Sequence, residues 1–156
     1  MTNYELMIKQ AKSLCEEERD YVPVLSNISA LIYESLDRLN WAGFYLMDKG
    51  SLLLGPFQGR VACIRIDIGK GVCGTAVQED RTIRVEDVHQ FPGHIACDSR
   101  SNSEIVVPLH SDGKIVGVLD IDSPYISRFS EEDEEGLRKL ALLIEEETDF
   151  SRLSLE

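Results

Sequence analysis

The chain of 156 residues carries four cysteines, Cys15, Cys63, Cys73 and Cys97, and these offer the most versatile chemistry in it. Nine residues separate Cys63 from Cys73 and twenty-three separate Cys73 from Cys97. No Cys-x-x-Cys pair exists, so the common zinc-ribbon spacing is absent. Cys15 falls on the apolar stripe of a helical segment and reads as a small buried hydrophobe. Cys97 does not fit that reading, because Ala96-Cys97-Asp98-Ser99-Arg100 is a polar stretch in which a thiol is reachable. Arg100 beside it would favour the thiolate, the nucleophilic form. A reachable thiol with others brought near by folding suits a cycle of thiolate to sulfenic acid to disulfide. Two other readings stand at this point: packing cysteines, or a mixed zinc site that adds His89 or His94.

Carboxylates make the second constellation. In Lys114-Ile-Val-Gly-Val-Leu-Asp-Ile-Asp, strand alternation puts Val116, Val118, Asp120 and Asp122 on one face. Asp120 and Asp122 therefore extend an apolar face, about 6–7 Å apart by the strand rise. Glu104, on the preceding strand, joins them if Ser111 to Gly113 is a three-residue loop, which would set it opposite Asp120. A two-residue loop would turn it to the other side. Three carboxylates in an apolar pocket raise one another's proton affinity unless a cation sits among them. An ammonium ligand, or a reaction that needs a general acid, accounts for such an arrangement. The plainer alternative has Asp122 capping the turn at Ser123-Pro124 and Asp120 half solvated.

The elements that must position these groups follow from periodicity. Tyr4, Met7, Ile8, Ala11, Leu14 and Cys15 keep helical spacing, and Pro23 opens a second helix with Leu25, Ile28, Leu31, Ile32 and Leu36 on its stripe. After Asn40 the period changes. Trp41 to Met47 and Leu52 to Phe57 flank a Lys49-Gly50 turn, and Cys63-Ile-Arg-Ile reads as a further strand. Val72 to Glu79 reads as a short helix and Thr82 to Val85 as a short strand. A long irregular stretch, Glu86 to Asn102, carries His89, His94 and Cys97; it is expected to close over a ligand and to open for disulfide formation. A hairpin then turns at Asp112-Gly113, and Ser130 with Asp133 forms a capping box at the start of a last helix. These elements predict an α+β domain with a central antiparallel sheet. Sixteen bases against twenty-eight acids give a net charge of −12, of which residues 131–156 carry −7. That surface disfavours nucleic acid and anionic membranes as partners. The N-terminus lacks the basic and apolar regions of a signal peptide, so a cytoplasmic location is expected.

Several motifs together resemble one family. Leu39-Asn40-Trp41-Ala42-Gly43-Phe44-Tyr45, Gly55-Pro56-Phe57-Gln58-Gly59, Cys63, Gly69-Lys70-Gly71-Val72-Cys73-Gly74, Pro92-Gly93-His94-Ile95-Ala96-Cys97-Asp98-Ser99, Ser103-Glu104-Ile105-Val106-Val107-Pro108 and Gly117-Val118-Leu119-Asp120-Ile121-Asp122-Ser123-Pro124 are similar to those of the free methionine-(R)-sulfoxide reductases. The resemblance runs from about residue 20 to 147. It implies a single GAF domain over residues 1–156, with N-terminal helices at about 4–39, sheet and site loops at 41–124 and a C-terminal helix at about 130–150. It implies that Cys97 is the nucleophile, Cys63 the resolving thiol and Cys73 a second or substitute resolving thiol. Trp41, Glu104, Asp120 and Asp122 would bind the substrate, free methionine (R)-sulfoxide, with Trp41 offering its indole N–H to the sulfoxide oxygen. Thioredoxin would be the external reductant, no cofactor or metal would be needed, and the chain would pair as a homodimer. A GAF module that senses a small ligand without catalysis is the competing function.

Overall fold

Two cores on opposite faces of one sheet organise the protein, and alternation along each strand decides which core a side chain enters. The structure, a computed structural model, describes residues 1–155. Helix α1 spans Tyr4–Leu14 and α2 spans Tyr21–Ser35, capped by Asn3 and Asp20, whose side chains accept backbone N–H bonds from Leu6 and Val22. The strands are β1 (Trp41–Asp48), β2 (Ser51–Gly59), β3 (Arg65–Ile66), β4 (Ile83–Val85), β5 (Ser103–Ser111) and β6 (Lys114–Ser123). Helix α3 spans Gly71–Glu79, a 3-10 turn spans Val88–Gln90, and helix α4 spans Glu131–Glu147. The strands form a six-stranded antiparallel sheet in the order β3-β2-β1-β6-β5-β4. An α+β domain with a central sheet is what the periodicity predicts.

Ala42, Phe44 and Leu46 of β1, with Ile105, Val107, Leu109, Leu119 and Ile121, point to the face covered by α1, α2 and α4. Trp41, Tyr45, Val106 and Val118 point to the other face, where α3 and the loops lie. The capping box at α4 forms as its sequence predicts: Ser130 Oγ accepts from the Asp133 N–H, and the Ser130 N–H donates to Asp133. Both hairpins turn on two residues of positive φ, Lys49-Gly50 and Asp112-Gly113, as tight hairpins require.

Three expectations about the elements need correction. Helix α2 ends at Ser35, short of residue 39: Arg38 takes a positive φ, and its carbonyl accepts from Ser123 Oγ. Helix α4 ends at Glu147, short of residue 150, where Thr148 becomes extended and Asp149 bridges to Asp20. The third strand holds only Arg65 and Ile66, because Cys63 leaves the sheet to form a disulfide and its carbonyl accepts from the Tyr45 hydroxyl at 2.9 Å.

The β5–β6 hairpin settles the register question in an unforeseen way. Its turn has two residues, with Ser111 opposite Lys114 and His110 opposite Ile115. Leu109, however, pairs with Gly117, so Val116 is an extra residue in β6. This bulge sends Val116 to the helical core, not to the carboxylate face. It also restores parity beyond it, so that Glu104 pairs with Asp122 and Val106 with Asp120. Glu104 thus shares a face with both aspartates, opposite Asp122 where the three-residue loop would have put Asp120.

Candidate active site

Cross-strand register builds the floor of the site. Glu104 on β5, Asp122 on β6 and Trp41 on β1 lie in one row across the sheet, and Asp120 lies in the next row, opposite Gly43. A Cβ on Gly43 would sit 2.3 Å from Phe57 Cβ, so only glycine allows β2 to bulge there and seat Phe57 against Trp41. The indole stacks on Phe57 at 5.1 Å and on Tyr45 at 5.8 Å between ring centroids. Its N–H donates to the Arg60 carbonyl at 3.2 Å. The indole is thus an apolar wall, and its donor is already engaged.

Helix α3 supplies the opposite wall. Its N-cap, Lys70, makes no side-chain cap, and Lys70, Gly71, Val72 and Cys73 line the cavity with the first turn of the helix. The backbone N–H groups of such a first turn have no partners within the helix. Cys73 is buried and unpaired by disulfide, and its thiol donates to Asp120. The loop that bears Cys97 closes the top with His94, Ile95 and Asp98. Cys97 is joined to Cys63 by a disulfide with a Cα–Cα distance of 5.3 Å. The cavity between these walls measures about 40 Å³.

The electrostatics of the floor are extreme for a side-chain cluster. Glu104, Asp120 and Asp122 are 7%, 5% and 9% exposed. Burial pushes Glu104 and Asp122 well up, and the charge of Asp120 pushes both further. Asp120 is raised by burial but pulled back by hydrogen bonds from Glu104 and from the Cys73 thiol. Glu104 and Asp122 are thus the two pushed furthest toward the protonated form, and Asp120 is the one held back. One oxygen of Asp120 and one of Asp122 are buried without any hydrogen-bond partner in the protein. Two such lone pairs aimed into a cavity call for a cationic or donor ligand.

The Cys97 loop is tied down from β1's edge by Asn40, whose part in the site no periodicity announces. Asn40, just before β1, donates from Nδ2 to Asp98 at 3.0 Å and to Ser101 Oγ at 2.9 Å. Burial alone would raise Asp98, but Arg100 and Asn40 donate to it and bring its carboxyl down to about 2. Arg100 is consequently committed to Asp98 through its backbone N–H and its guanidinium. It does not stand as a free charge for Cys97, contrary to the expectation from its nearness in sequence. The mixed zinc site with His89 or His94 is not formed. Among the described residues the group able to hold a metal is Cys73, Glu104 and Asp120, whose ligand atoms lie within 4.8 Å of one another.

Trp41, Cys73, Cys97, Glu104, Asp120 and Asp122 are therefore gathered around one cavity, with Cys63 bonded to its lid. Tyr45 was the aromatic residue missed. It lines the cavity and holds the Cys63 carbonyl, yet an aromatic in an apolar strand reads as plain core.

Comparison with known proteins places this geometry. The GAF domain family matches residues 20–147. The free methionine-R-sulfoxide reductase of Escherichia coli is 53% identical over 142 residues, covering 91% of this chain and 86% of that one. The reduced form of the fRMsr of Staphylococcus aureus superposes with a TM-score of 0.92 at 56% identity, covering 96% of this chain and 97% of that chain. The same protein in complex with its substrate gives a TM-score of 0.91 over the same shares. The chain belongs to the GAF domain family and, within it, to the free methionine-R-sulfoxide reductases.

Proposed function

We propose that this protein reduces the (R)-sulfoxide of free methionine to methionine at the Cys97 end of the cavity. The observation that carries the reading is the pairing of an oxidisable thiol with a buried floor whose two unpartnered carboxylate oxygens await a cation. A free amino acid brings that cation as its ammonium group, which Asp120 and Asp122 receive in a dry site. Its carboxylate meets Lys70 and the open N–H groups at the start of α3. The methyl group on sulfur packs on the Trp41 and Tyr45 rings. A methionine sulfoxide inside a peptide has neither charged end and is refused.

With the site reduced, the Cys97 thiolate attacks the sulfoxide sulfur while the proton held on Glu104 goes to the sulfoxide oxygen. Oxygen is transferred, so that methionine leaves and Cys97 becomes a sulfenic acid. The Cys63 thiol then attacks Cys97, water departs, and the disulfide forms. Cys73 is an acid-side partner of Asp120 in this scheme, not a nucleophile: burial pushes its thiol far above the range in which a thiolate exists at neutral pH. The external dithiol that restores both thiols is thioredoxin, and no bound cofactor enters any step.

The test is a thiol count. Reduced protein mixed with free methionine (R)-sulfoxide should lose two thiols per chain and release one methionine, and Cys97→Ser should abolish both. A well-folded sample that loses no thiols would sink the reading in favour of a ligand sensor.

A further inference from the structure

The surface around the disulfide has two properties that sulfoxide chemistry does not require. Val61 and Ile64, on either side of Cys63, are 87% and 71% exposed. Apart from Met1 they are the most exposed large apolar side chains among the described residues, and neither lines the cavity. Water-facing apolar groups grouped at one spot mark an interaction surface. The charge pattern singles out the same spot. Residues 55–78 and 88–103, the two strips that carry Cys63 and Cys97, hold four bases and two acids, against twelve bases and twenty-six acids in the rest of the chain, three of those acids being buried in the site. Arg65 pairs with Asp48 and Arg100 with Asp98, while Arg60 has no acidic partner among the described residues. The two strips that bear the disulfide are thus net +2, and the remainder of the chain carries −14.

We infer that Val61 and Ile64, with Arg60 at their edge, form the docking surface for the protein dithiol that regenerates the enzyme, and that this dithiol attacks Cys63, not Cys97. The inference rests on the reductase reading above for its biological sense. The partner it fits is a thioredoxin-type protein whose reactive cysteine sits in an apolar groove with an acidic margin. Repulsion from the rest of the surface steers such a partner to this face. Both sulfurs are half-buried, but Cys63 lies between the two exposed apolar side chains, so a partner seated on them brings its sulfur to Cys63. The partner's thiolate bonds to Cys63 Sγ as the Cys63–Cys97 bond breaks, and Cys97 departs as a thiolate. The partner's second thiol gives up its proton and attacks its own sulfur in the mixed disulfide, freeing Cys63. Two electrons pass from the dithiol to the enzyme, and Cys97 is left in the form the next turnover uses.

The experiment starts from protein oxidised with diamide to the Cys63–Cys97 disulfide, so it needs no sulfoxide and can fail separately from the reductase reading. A thioredoxin whose second cysteine is serine is added, and the trapped mixed disulfide is mapped by peptide mass spectrometry. The expected linkage is to Cys63; a linkage to Cys97 overturns the inference. In parallel, Val61→Asp combined with Ile64→Asp should lower kcat/KM for wild-type thioredoxin by about tenfold or more. The rate of reduction by dithiothreitol should stay within about twofold, since docking plays no part in it. An unchanged kcat/KM for thioredoxin, or an equal loss with both reductants, overturns the docking surface. So does a change of oligomeric state in the double variant, which would make the patch a contact between copies of this chain.

Discussion

Glu104 holds its proton because the fold gives its charge nowhere to go, and that has a thermodynamic sign. In the unfolded chain its carboxyl ionises near pH 4, as does that of Asp122. In the native state burial and the Asp120 charge raise both. Between those limits the native state binds more protons than the unfolded state, so stability falls as pH rises through that window. Glu104→Gln removes the contribution of Glu104 and keeps the shape. Its Tm at about pH 7.5 should rise by roughly 2–6 °C, with a flatter pH dependence, while sulfoxide-dependent turnover falls about a hundredfold or more. Calorimetry on both proteins between about pH 5 and pH 9 reads the sign directly; a variant less stable than wild type at neutral pH would contradict it. At this scale the acids were legible in the sequence, because a carboxylate that interrupts an apolar face has no structural reason to be there. Tyr45 and Asn40 were not. The first looks like core, and the second acts on Asp98 and Ser101, some sixty positions away.

Among the elements, the lesson lies in β6. Alternation predicted that Asp120 and Asp122 share a face, and they do. It could not place Glu104, because a single extra residue, Val116, changes the parity of everything beyond it. Bulges leave no reliable mark in a run of valine, isoleucine and glycine. The same hairpin carries His110, which ties three elements together. Its Nδ1 meets Glu145 of α4 at 2.9 Å and its Nε2 meets Asp80, at the end of α3, at 2.7 Å. Burial alone would lower the imidazole, but the two carboxylates prevail and raise it. The stabilisation is therefore full below about pH 6.5, the unfolded value, and is lost as pH rises through the higher folded value. The site is 38% exposed on the histidine and 56% on Asp80, so the contribution stays below about 1 kcal/mol. His110→Asn should be less stable than wild type near pH 6, with the difference vanishing near pH 9 and shrinking in added salt. Thermal denaturation at the two pH values, with and without salt, is the check. A difference that grows with pH would contradict the assignment.

The whole molecule divides its acidity by place. Ten of the twenty-eight acids lie in residues 131–156, where the first-turn acids of α4 suit the helix dipole; three others are buried in the site. The expectation against nucleic acid as a partner came from the sum, but the sum conceals the less acidic strips that bear the disulfide. No helix among the described residues is long and apolar enough to cross a membrane. The architecture was largely legible from periodicity, and the three-dimensional meeting of Cys63 with Cys97 was not, since loop paths carry no period.

The small cavity under the disulfide has a kinetic consequence. About 40 Å³ accommodates a few water molecules, at some 10–15 Å³ each on this measure, and not an amino acid. The oxidised enzyme therefore cannot hold sulfoxide or methionine while it waits for reductant, and the reduced enzyme offers no disulfide to the reductant. The two substrates never occupy the protein together. Initial rates measured at several fixed dithiol concentrations should give parallel lines in double-reciprocal form, and intersecting lines would show a ternary complex. Each turnover is then two separate visits, joined only by the oxidation state of one pair of sulfur atoms.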